Sequence, residues 1–416
     1  MILTAICYAA VGLTAAKLVA ALWLDALNKK SVLKHKDAVP AAFADFVNPQ
    51  DYRETVAYTL EKNSFDMFDG VYNFAVTSLI LLSGALPFLF GFFAGVFGLA
   101  AWAQALTLIG VSLVISLPEL PLEWYSQFKI EERHGFNKSS FGLWVSDKLK
   151  GFGVSVLLGV PLLTLLFLFF DAFENTWWLW GFGAVALFQV MMIVIYPRFI
   201  LPLFNKLEPL ADGELKTRLF GVAERGGFAA ASIQVMDGSR RSSHSNAYFT
   251  GLGRFRRIVL YDTLIAQLAV DELEAVLAHE IGHYKKGHIV RMVGLSFAMT
   301  FAAFAVMGWL SKSAWFFEGF GFAPDAGMGP LLLLFSMLSG LFTFWLTPLF
   351  NIFSRRNEYE ADAFAKTLCG SDTPLVSALR KLHKKNRGNL TPHPVYSAFY
   401  YSHPTVLERE EALKKV

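Results

Sequence analysis

Seven stretches of this chain are each apolar enough to cross a bilayer, and no soluble fold has a use for so many. A hydrocarbon core about 30 Å thick takes about 20 residues of helix, and Ile2 to Leu24 forms the first stretch of that length. The nearly uncharged run from Val71 to Leu117 is about twice as long. It holds Gly91, Gly95 and Gly98 near its middle and reads as two helices joined by a turn. Phe152 to Phe170, Trp177 to Tyr196, Ile289 to Leu310 and Leu331 to Phe350 supply the other four, and Trp177, Trp178 and Trp180 suit an interfacial belt. Lys17, inside the first stretch, is expected to snorkel toward the interface. Asp25 to Asp69 reads as a solvated loop with some helix. Pro118 to Lys150 is a second polar loop, so dense in ionisable and aromatic residues that a role facing a site is expected.

Lysine and arginine orient the chain. They concentrate after the first, third, fifth and seventh stretches, and the opposite side offers little beyond Lys312. The amino terminus is therefore expected outside and the carboxyl tail inside, with the two large polar segments on the cytoplasmic face. A composition of 54% hydrophobic and 17% charged residues agrees with a membrane protein. The net charge of +3 forms no basic stripe, so no nucleic-acid partner is expected. Cys7 and Cys369 fall near opposite faces of the membrane, which excludes a disulfide framework. No lipoprotein or cleavable signal precedes Cys7, so the first stretch is expected to stay as an anchor.

The segment DELEAVLAHEIGHYKKGH, residues 271–288, carries the chemistry. Asp271 and Glu274 resemble a capping box that opens a helix. On that helix His279 and His283, four apart, project from one face at a separation that lets two imidazoles share a zinc ion. Glu280 beside them can reach the attacking water as general base without occupying the metal. An ordinary amphipathic helix also accommodates two histidines and a carboxylate, so the motif does not decide alone. A third ligand must come from elsewhere. His288, five residues beyond His283, lies about 140° around a straight helix and does not qualify. After the seventh stretch the chain reads NEYEADAFAKTL, where Glu358 and Asp362 share a helical face and Glu360 points elsewhere. Glu358 is the expected third ligand, and Asp362 the carboxylate that orients a ligating imidazole. AYFTG and RIVLYD read as the arms of a hairpin around Gly251 and Gly253, whose edge could hold an extended peptide.

HEIGH followed by NEYEADAFA across one membrane hairpin resembles the integral-membrane zinc metalloproteases of the CAAX prenyl protease type 1 family. The resemblance extends to IEERHGFN in the polar loop after the third stretch, to GSRRSSHSNAYFTG before the histidine helix and to SHPTVLERE near the end. It implies a seven-helix membrane fold with a cytoplasmic-side protease segment and a small β hairpin. It also implies one zinc ion per chain and a peptide or protein substrate that can be prenylated. Carried onto matching positions, it gives Asn246 as the substrate-backbone contact, and His403 and Arg409 as the pair that binds or stabilises the reacting carbonyl. Residues 1–200 would hold the first five crossings and 201–288 the protease segment with the histidine helix. Residues 289–350 would then be the last two crossings, and 351–416 the tail with the third ligand.

Two other functions compete with this one. A broad quality-control membrane metalloprotease would share the zinc motifs but have fewer crossings and no EERHGFN loop. A transporter or ion-binding protein would place ionisable residues at mid-membrane, whereas here they gather at helix ends. The expected location is a bacterial inner membrane, with the endoplasmic reticulum membrane as the alternative.

Overall fold

The computed structural model describes residues 4–228, 232–250 and 257–415. Seven helices among them are long and apolar enough to cross a membrane. The amino-terminal ones are α1 (Ala5–His35) and α2 (Pro49–Ser83), the shorter apolar α3 (Ala85–Phe97), then α4 (Ala101–Ser116), α5 (Phe141–Ala172) and α6 (Trp177–Ile195). Helical structure continues from α4 through Glu131, and from α6 through Phe204. Trp177, Phe167, Phe304, Leu331 and Leu334 are buried where the membrane helices meet. Leu157, Leu187 and Val290 on the membrane helices are exposed.

The polar segment between the first two crossings is more regular than its composition suggests. Where a loop with some helix is expected over residues 25–69, α1 runs on to His35, and α2 starts at Pro49 behind Asn48, whose Oδ1 caps it by accepting from Asp51 N at 2.8 Å. The two helices face each other through polar contacts, such as Asn63 Nδ2 donating to the buried Asp25 at 3.2 Å and Tyr52 Oη donating to the His35 carbonyl. With polar residues on the packed face, hydrophobic periodicity gives no helix signal there. Gly98 (φ 94°) makes the expected turn before α4, and Gly84 (φ 77°) adds a break between α2 and α3. Lys17 Nζ stands 5.7 Å from the centre of the Phe344 ring on the seventh membrane helix.

The chain then builds a compact polar unit. Strands β1 (Leu207–Pro209), β2 (Ser232–Met236), β3 (Ala247–Thr250) and β4 (Arg257–Tyr261) form one sheet in the order β1-β2-β4-β3. Within it β2 and β4 are parallel, and the outer pairs are antiparallel. The expected hairpin arms pair as β3 and β4, with Tyr248 opposite Val259, which leaves β3 at an edge. Gly251 and Gly253 lie outside the described residues. Helices α7 (Glu214–Arg225) and α8 (Val270–Lys285) pack on the sheet through Leu219, Val222, Ile258, Leu260, Leu277 and Ile281.

The last two crossings are α9 (His288–Leu310) and α10 (Met328–Cys369). At 42 residues, α10 extends about 63 Å and passes without interruption from the membrane into the polar unit. Its final turns bury Ala361 and Ala365 beside α8. Helices α11 (Thr373–Lys385), α12 (Pro394–Tyr400) and α13 (Val406–Lys415) close the unit.

Candidate active site

Helix α8 begins with Ala269 N donating to Glu272 Oε2 at 2.8 Å. That is the reach-back half of a capping box, two residues earlier than the Asp271–Glu274 pair expected. Glu274 instead accepts two bonds from Arg218, at 3.0 and 2.7 Å. One turn apart on the same face, His279 and His283 bring their Nε2 atoms within 3.1 Å of each other. From α10, Glu358 comes to meet them: Oε1 is 3.2 Å from His283 Nε2, and Oε2 is 3.5 Å from His279 Nε2.

These donor atoms fit a metal ion. Zinc–ligand bonds of about 2.0–2.1 Å in a tetrahedron place neighbouring donors about 3.4 Å apart, the spacing found here. Glu358 is 4% exposed, and its Oε2, with no hydrogen-bond partner among the described residues, has Arg409 Nη1 at 3.4 Å and the imidazoles as its nearest charged neighbours, so a metal ion would satisfy its free lone pairs. Two histidines and a carboxylate are also the donor set of a catalytic zinc site.

Around the three donors stand the groups that can move or orient protons. Burial pushes the Glu280 carboxyl above its usual range, against the opposing pull of His279 and His283. Burial acts to lower His283, but the hydrogen bond and charge of Glu358 outweigh it and raise the imidazole's affinity for positive charge. Asp362, 1% exposed, accepts from His279 Nδ1 at 2.8 Å, which directs that ring's Nε2 at the metal position. Arg409, from α13, donates its Nε to Asp362 Oδ2 at 2.7 Å and is itself buried. His403 Nε2 lies 3.4 Å from Glu358 Oε1 on a side chain 64% exposed. Both members of the expected pair thus stand beside Glu358, since Arg409 Nη1 lies 3.4 Å from its Oε2; the histidine is exposed, and the buried arginine is also engaged with Asp362.

Asn246 sits at the entrance to edge strand β3, exposed, with its Oδ1 accepting from Ala247 N at 2.8 Å and its carbonyl accepting from Tyr261 N. The segment before it is braced by the IEERHGFN loop. Lys138 N donates to the Arg241 carbonyl, Ser243 N donates to the Phe136 carbonyl, and the Phe136 ring stacks on His244 with centroids 4.2 Å apart. The loop thus packs directly against the segment that leads into β3. A cavity of about 1110 Å³ opens beside it, lined by aromatic and charged side chains that include Phe65, Trp144, Phe152, Glu131 and Arg241.

His288 and Glu360, both set aside on straight-helix geometry, also come to the site. Gly287 (φ 71°) ends α8 in a left-handed turn, so His288 starts a new helix and its ring returns to His283. The glycine in KKGH was the available signal.

Comparison with known proteins agrees with this arrangement. Residues 28–206 match the family model described as CAAX prenyl protease N-terminal, five membrane helices, and residues 209–416 match peptidase family M48. The chain is 39% identical to CAAX prenyl protease 1 of Saccharomyces cerevisiae, over 91% of this chain and 89% of the yeast protein. It is 32% identical to the Homo sapiens CAAX prenyl protease 1 homolog, over 94% and 91% of the two chains. The crystal structure of S. mikatae Ste24p superposes with a TM-score of 0.90 at 34% identity, covering 99% of each chain.

Proposed function

The chain belongs to the CAAX prenyl protease 1 family, a group of membrane proteases, and on that premise we propose that it is a zinc-dependent endopeptidase. Its substrates are peptides or proteins cleaved near their carboxyl terminus, prenylated ones included, as the names of its relatives suggest. The observation that carries the reading is the convergence of His279, His283 and Glu358 from two helices, at zinc-ligand spacing, with Glu280 beside them.

When bound, zinc supplies Lewis acidity toward the scissile carbonyl and the attacking water. Glu280, with its raised proton affinity, takes the proton from that water and passes it to the leaving amine. His403, exposed beside Glu358, donates to the oxygen that gains negative charge. Arg409 is a positioning residue, because its bonds to Asp362 fix the carboxylate that holds the His279 ring. The substrate backbone adds to the free edge of β3, with Asn246 as a further contact. The mixed aromatic and charged cavity lining suits acceptance of a lipid chain without a requirement for one. The active site faces the cytoplasm, as the charge bias implies.

The quality-control alternative draws support from the M48 half alone, whereas the five-helix match at residues 28–206 favours the prenyl-protease reading. The relatives named are eukaryotic and lend no support to a bacterial membrane. Purified protein should contain one zinc per chain and cleave farnesylated and unmodified forms of one peptide. Chelation should abolish both activities and zinc should restore them. A zinc-loaded protein inert toward both forms would overturn the proposal.

A further inference from the structure

We infer that His288 and Glu360 form a relay that fixes the tautomer and ring orientation of His283, tying the metal centre to the start of membrane helix α9. The inference rests on the zinc reading above and adds two positioning residues to it. His283 presents Nε2 to His279 and Glu358, so as a neutral ligand it must carry its proton on Nδ1. That Nδ1 stands 2.9 Å from Nδ1 of His288. Of two nitrogens so placed, one donates and the other accepts, and a ligating His283 can only donate. His288 therefore accepts at Nδ1 and carries its own proton on Nε2, which lies 3.2 Å from Glu360 Oε2. Glu360 is an acceptor in turn, held by Arg356 Nε at 3.2 Å and Arg291 Nη2 at 3.4 Å.

With neutral imidazoles and an ionised Glu360, only one proton arrangement satisfies both contacts of the relay, and it leaves the His283 Nε2 lone pair facing Glu358 and His279, where a metal ion would sit. The two ligating rings are backed in parallel ways. His279 is held directly by Asp362, which Arg409 holds; His283 is held through His288 by Glu360, which two arginines hold. His288 is 1% exposed, so no water competes for its nitrogens. The relay draws on three elements, α8, α9 and α10, and moving α9 relative to the other two would turn the His283 ring.

The test uses full-length protein carrying His288→Phe, His288→Asn, Glu360→Leu or Glu360→Gln. It reads zinc affinity by chelator competition, and the remote nitrogens of copper-bound imidazole by pulsed paramagnetic resonance. His288→Phe removes the acceptor and should weaken zinc about 10–100-fold. It should also shift one remote-nitrogen signal while the one held by Asp362 stays. Asparagine can place a carbonyl oxygen where Nδ1 was, so His288→Asn should restore most of the affinity. If the phenylalanine variant does not fold, the glutamate pair serves: leucine should weaken zinc, and glutamine, still an acceptor, should not. Zinc affinity within about twofold of wild type and unshifted nitrogen signals in His288→Phe or Glu360→Leu would overturn the relay. So would a folded His288→Asn as weak as His288→Phe. A wild-type chain that takes up no zinc would sink the metal-centre reading as well, whereas zinc-loaded wild type with indifferent variants sinks the relay alone.

Discussion

A Cβ at Gly282 would stand 2.9 Å from the Cα of Ala361, so the backbones of α8 and α10 touch between the two ligating histidines and the third ligand. That contact sets how far Glu358 is from the imidazoles. Gly282→Ala should force the helices apart, cost about 1–3 kcal/mol and lower zinc affinity together with thermal stability. Metal analysis and a melting curve check it; an alanine variant with normal zinc content would show that the contact does not set the ligand spacing.

Removing a ligand and removing a base should separate cleanly. Glu358→Ala should lose zinc, because two histidines cannot hold it alone. Glu280→Gln should keep one zinc per chain while kcat falls about 10²–10⁴-fold. Full activity in Glu280→Gln would overturn the assigned base.

Asn246→Ala should raise KM or lower kcat on unrelated peptides by similar factors, since a backbone contact is blind to side-chain sequence. The asparagine is exposed and bonds mainly to its own neighbour, so the melting temperature should hardly move. If no substrate is affected, the added-strand model must be dropped.

His383 makes folding sensitive to acid. Burial inside α11 pushes its imidazole down to about 4 from an unfolded value of 6.5, and its Nε2 finds no hydrogen-bond partner among the described residues. Between those values the unfolded chain binds a proton that the folded chain refuses. The stability contributed is therefore complete above pH 6.5 and lost as pH falls toward 4, about 3 kcal/mol over the window. Lowering the pH from 7.5 to 5 should cost wild type a few degrees of Tm more than His383→Leu. Equal losses would remove His383 as the cause.

Lys312 Nζ donates to Asn175 Oδ1 at 2.7 Å, which puts the link at residues 171–176 and the loop at 312–325 at one end of the bundle. The charge bias predicts that this end is extracytoplasmic. Single cysteines introduced there should react with an impermeant reagent added outside, and cysteines near Lys415 should not. The reverse pattern would invert the topology.

What could be read before folding differs by interaction type. The crossings, the His279–His283 pair and the paired arms of β3 and β4 announce themselves through local periodicity, which short sequence windows preserve. The extensions of α1 and α2 did not, since Asp25 and Asn63 satisfy each other across a polar helix pair 38 residues apart. His288 was hidden by a single left-handed glycine, because angles computed on a straight helix fail at the first break. Gly282 occupies a freely variable motif position, and its reason for being glycine exists only once α10 is beside it.

Arg409 lies 130 residues beyond the histidine whose partner it holds. A ribosome adding about 5–20 residues per second would need roughly ten seconds to cover that distance. Until then the His279 ring lacks the Asp362–Arg409 support that it has in the folded protein. The arrangement of His279, Asp362 and Arg409 can therefore be completed only after synthesis has passed residue 409.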